Sequence, residues 1–123
     1  MLQVSDDQFQ ELINQALESL PGEHARNIAN VAILYEDKPT PAQREQLRLN
    51  CDQTLLGLYE GVPLSQRQGM THVLPDRITL FKDPLSQRTN SLVELREEIR
   101  HTLWHEIGHY YGLDHDRIHQ LES

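Results

Sequence analysis

Apolar residues recur at helical spacing near the start of the chain, where Phe9, Leu12, Ile13, Ala16, Leu17 and Leu20 form one stripe of a 3.6-residue period. Ser5-Asp6-Asp7-Gln8 precedes them as a capping box, and Pro21-Gly22 follows as a stop. The pattern then changes. From Asn27 to Asp37 the residues Ile28, Val31, Ala32, Ile33, Leu34 and Tyr35 make a short run rich in β-branched and aromatic side chains, which predicts a largely buried strand paired with something downstream. Lys38-Pro39-Thr40-Pro41 interrupts it, and Ala42 to Asn50 predicts one or two turns of polar helix. Thr54 to Gly61 reads as a second strand, in which Gly57 marks a bulge or the close approach of another backbone. Val62 to Pro75 carries the turn residues Pro63, Ser65 and Gly69. Asp76 to Asp83 alternates Ile78 and Leu80 against Thr79 and Phe81, a third strand closed by Pro84.

A second capping box, Ser91-Leu92-Val93-Glu94, opens a long helix whose apolar stripe is Leu92, Leu95, Ile99, Leu103, Ile107 and Tyr110. Trp104 reads as a core aromatic. The expected fold is α/β (α+β): one domain over residues 1–123, with an N-terminal helix, a small mixed sheet of about three strands and the long helix beneath it. Strand order does not follow from the pattern.

Composition narrows the class. At 123 residues, 37% hydrophobic and 24% charged, the chain suits one globular domain. Its formal net charge of -8 disfavours a nucleic-acid surface, which is ordinarily basic. Cys51 is the only cysteine, so no intrachain disulfide forms and a reducing compartment is expected. The N-terminal residues lack the basic and apolar regions of a signal peptide, and no apolar run reaches membrane-spanning length. A cytoplasmic location away from membranes is the expectation.

Chemistry concentrates next to the apolar stripe of the long helix. Residues 105–115 read His-Glu-Ile-Gly-His-Tyr-Tyr-Gly-Leu-Asp-His, or H-E-x-x-H-x-x-G-x-x-H. Residues four apart share a helix face, so His105 and His109 can direct two imidazoles at one metal. Glu106 lies about 100° round the axis, where it can reach a water on that metal without ligating it. A third ligand six residues past His109 would sit about 9 Å further along a continuing helix, too far to share the ion. Gly112 can end the helix and let the chain return His115 to the site. Three neutral histidines leave one tetrahedral position open, as in a catalytic zinc site holding one Zn2+. The expected reaction is hydrolysis of a peptide bond by a metal-bound water, with Glu106 as general base.

Other residues are weaker candidates. His101 repeats the four-residue step but lies about 12 Å from His109, too far to share the ion; it reads as a solvated residue, with support of the ligands or donation to an oxyanion as the alternative. Tyr59, Arg77 and Tyr111 are alternative oxyanion donors. Asp116 can orient the His115 imidazole or cap the tail, and a fourth ligand at His119 would close the open site. His24 and His72 read as surface residues, and Cys51 as a small packed hydrophobe. The edge formed by Leu55, Leu56, Gly57, Leu58 and Tyr59 can align a peptide by strand addition.

The motif resembles the extended zinc signature of metzincin metallopeptidases, which implies zinc ligation by His105, His109 and His115 and base catalysis by Glu106. The chain departs from them after the third histidine, where it has no methionine for a Met-turn; Met70 is its last. Beyond the motif, the segments Thr54–Pro63 and Asp76–Pro84 and the helix after them look like the small bacterial zincin-like metallopeptidases with a minimal, matrix-metalloprotease-like domain. In that family the third ligand position can be acidic. Gly112-Leu113-Asp114-His115 also resembles the end of the metal site in rRNA-maturation endoribonucleases, which usually have glycine where this chain has Glu106. A zinc-bound domain that only binds peptides is a further alternative. Glu106 and the acidic balance favour the peptidase, with a peptide or protein as substrate and partner.

Overall fold

A computed structural model describes residues 2–20, 31–46, 55–61 and 76–111. Helix α1 spans Asp6–Ser19, and its capping box forms as expected: the Ser5 hydroxyl accepts from the Gln8 N–H at 3.1 Å, while the Gln8 side chain accepts from the Ser5 N–H at 3.0 Å. These two bonds satisfy donors that a helix N-terminus otherwise leaves open. The apolar stripe points inward, with Phe9, Leu12, Ile13, Ala16 and Leu20 buried and Leu17 packed at the margin.

Three strands form one mixed sheet in the order β1-β3-β2. Strand β1 (Val31–Glu36) runs parallel to β3 (Asp76–Phe81), in register from Val31 opposite Asp76 to Glu36 opposite Phe81. Strand β2 (Gly57–Glu60) runs antiparallel on the other side of β3, with Gly57 opposite Leu80 and Glu60 opposite Arg77. The central position explains why Ile78, Thr79, Leu80 and Phe81 are all buried despite their alternation. Ile78 and Leu80 face the main core, whereas Phe81 joins Leu55 and Leu58 in a smaller cluster on the opposite face.

Some expectations are corrected. Strand β1 is an edge strand, not a largely buried one; none of its residues is fully buried and Leu34 is 44% exposed. The second strand is shorter than Thr54–Gly61, although Phe81 N–H still donates to Leu56 C=O at 3.0 Å just before it. Pro84 does not close the third strand. That strand ends at Phe81, and Pro84 lies in the first turn of a short helix, α3 (Lys82–Gln87), where its missing N–H has no intrahelical partner to lose. The polar helix appears as α2 (Pro41–Gln46), opened by reciprocal bonds between Thr40 and Gln43.

Helix α4 spans Leu92–Tyr111. Ser91 accepts from the Glu94 N–H at 3.1 Å, but the Glu94 carboxylate reaches back one residue further than a standard capping box, to the Asn90 N–H at 2.8 Å. Leu95, Ile99, Leu103 and Ile107 are at most 1% exposed and Trp104 is buried, as the stripe requires. Leu92 departs from it at 44% exposed, because the first turn projects beyond the core. Helix α4 packs against α1, β2 and β3, and β2 meets it at Thr102 and Glu106.

Candidate metal centre

The His105–His109 part of the motif lies in the last two turns of α4. His105 and His109 are half-buried, with ring centroids 4.9 Å apart and planes inclined at 71°. Potential ligand atoms of His105, Glu106 and His109 all lie within 4.8 Å of one another. This is the arrangement that four-residue spacing dictates, and Leu103 and Ile107, buried in the core, fix the helix rotation that produces it. Two imidazoles converging beside a carboxylate form a donor set suited to zinc. His115, Gly112, Asp116 and His119 lie outside the described residues, as do His24, Cys51 and His72.

Glu106 is held from the opposite side. Its Oε1 accepts a hydrogen bond from the backbone N–H of Tyr59 at 3.0 Å. The ladder explains that direction: Phe81 bonds to Leu56, so antiparallel alternation makes Leu58 and Thr79 the next bonded pair and turns the Tyr59 N–H away from β3. Burial pushes the Glu106 carboxyl up to about 7, with the Tyr59 bond opposing part of the rise.

Gly57 makes the close approach of helix and strand possible. A Cβ there would meet Thr102 Cγ2 at 2.6 Å and Glu106 Cγ at 3.5 Å. The tightest approach at this glycine comes from a side chain of α4, the Thr79 carbonyl oxygen of the neighbouring strand stands at 3.4 Å, and no bulge interrupts the ladder there.

The remaining candidates separate. His101 is exposed and lies outside the His105, Glu106 and His109 group. The Tyr59 hydroxyl donates to Asp76 Oδ2 at 2.6 Å, and the Arg77 guanidinium pairs with Glu60 at 3.1 Å, so both proposed oxyanion donors already hold carboxylates. Tyr111 is the last residue of α4, and its side chain is not among the described ones. Of the proposed edge residues, Leu55 and Leu58 bury their side chains and Leu56 and Tyr59 are half-buried. Strand β2 lies at an edge of the three-stranded sheet. Asp76 had no sequence signal beyond opening a strand, yet it is fully buried and bonded to Tyr59.

A helix presenting two imidazoles and a part-buried carboxylate beside a short edge strand is a group that could hold a metal ion. A family model for zincin-like metallopeptidases matches residues 28–123, and the chain belongs to that family. No curated protein gives a significant match. Among the described residues, no helix is long and apolar enough to cross a membrane.

Proposed function

We propose that the protein is a zinc-dependent peptidase in which His105, His109 and His115 hold one metal ion and Glu106 is the general base. The observation that carries this reading is the convergence of His105, Glu106 and His109 to within 4.8 Å on one helix, in a chain of the zincin-like family. Zinc held there would polarise a scissile carbonyl and acidify water. Glu106 lies one residue from His105, near enough to accept a proton from the attacking water and return it to the leaving amine. The half-buried surroundings limit competition from bulk solvent for that proton. Strand β2, at an edge of the described sheet, would take an extended peptide as a further strand only where Glu106 releases the Tyr59 N–H that it now holds.

The test is cleavage of a mixed peptide library by zinc-loaded protein, with Glu106→Gln as control and a structured RNA in parallel. Cuts that vanish in the variant support the peptidase. Intact peptides with cut RNA would replace it with a ribonuclease. Zinc binding with neither cleavage would leave a domain that binds peptides without turning them over.

A further inference from the structure

The rigid and loose halves of the Glu106 contact are unequal. The carboxylate stands on a helix locked by Leu103 and Ile107, whereas its partner N–H belongs to a four-residue strand with one neighbour in the sheet. Short edge strands are the first parts of a sheet to open. Something must keep the Tyr59 N–H aimed at Glu106.

We propose that Asp76 is a positioning residue, which anchors the Tyr59 phenol and thereby fixes the β2 backbone so that the Tyr59 N–H meets the Glu106 carboxylate. Asp76 is fully buried at the start of β3, and its Oδ2 takes the Tyr59 hydroxyl at 2.6 Å. Tyr59 and Asp76 are diagonal neighbours on the same sheet face, a separation that an aromatic side chain spans. Independent support comes from Gly61, whose φ of +152° favours glycine. A Cβ there would run into the Asp76 carboxylate, at 2.9 Å even from its Cβ. The strand is thus bare where the anchoring carboxylate enters. Burying a carboxylate is costly unless it is bonded, and the Oδ2 of this one takes the phenol of the residue whose backbone holds the base.

The role of Asp76 in catalysis rests on Glu106 being the general base, but the anchor can be tested without activity. In metal-free protein, native-state hydrogen exchange compares the residue-59 amide with the β3 amides. Tyr59→Phe is expected to speed exchange at residue 59 by about tenfold or more while the β3 amides stay within about twofold. Asp76→Asn retains an acceptor oxygen and is expected to keep residue 59 protected. Should Tyr59→Phe fail to fold, Asp76→Ser, too short to reach the phenol, carries the same selective expectation. Unchanged exchange at residue 59, or an equal rise across the sheet, would overturn the proposal. If a peptide is cleaved by the zinc-loaded enzyme, Tyr59→Phe should lower kcat by roughly tenfold with little change in KM. Selective exchange without any peptidase activity would sustain the anchor and sink the peptidase reading; cleavage without selective exchange would do the reverse.

Discussion

At the scale of single residues, Glu106 carries two opposing demands, burial beside the helix and readiness to ionise. Its carboxyl titrates at about 7 in the folded metal-free chain, against an ordinary 4.5. Between those values the native state holds a proton that the unfolded chain has released, so stability falls as pH rises from about 4.5 through 7. Glu106→Gln removes this dependence. In chelator-treated protein the variant should match the wild type near pH 4 and exceed it at pH 8 by at most about 3 kcal/mol, measured by urea unfolding at both pH values. Equal stabilities at both would refute the burial argument. Gly57 makes a second demand, for space. Gly57→Ala drives a methyl into Thr102 and should cost about 1–3 kcal/mol. Adding Thr102→Ala should restore part of that loss; a strictly additive double variant would mean that the two side chains do not meet. The grouping of His105, Glu106 and His109 is legible in the sequence because four-residue spacing on one helix is local information. Tyr59, Asp76 and Gly61 are not, since the contacts of Tyr59 with Asp76 and Glu106 span 17 and 47 positions.

At the scale of elements, legibility follows the same divide. The α1 capping box was readable because every partner lies within four residues, and Ser5→Ala should lower thermal stability by about 1 kcal/mol, whereas Asp7→Ala, outside the reciprocal pair, should cost less. Comparable losses in the two would show that the cap contributes nothing specific. Helix α3 is not legible because a proline after a strand reads as a stop, whereas in the first turn of a helix it fits equally well. The edge position of β1 was hidden for a different reason. Burial of a strand depends on which neighbour it pairs with, and among the described residues β1 pairs with β3 alone. Leu92 was misplaced because a periodic stripe says where a helix faces, not how far the core extends beneath it.

At the scale of the whole molecule, metal and fold are expected to be linked. Two proposed ligands, His105 and His109, stand on α4 and His115 is proposed as the third, so a bound ion would tie the helix to the chain that follows it. Removing zinc from a state with free metal about a hundredfold above Kd should lower Tm by roughly 5–10 °C, read by calorimetry with metal loss confirmed. An unchanged Tm would uncouple the site from folding.

The floor under α4 has its own consequence. It is built in large part by α1, through Phe9, Ile13 and Ala16, with Phe9 also set edge-on to Tyr35 at 5.3 Å and Lys82 bridging to Asp6 at 2.9 Å. The family resemblance begins at residue 28, beyond the end of α1. The unit recognised by likeness is therefore smaller than the unit that folds. A fragment of residues 28–123 would retain every proposed ligand and the general base yet uncover the apolar side of the helix bearing them, and it should precipitate or lose helicity.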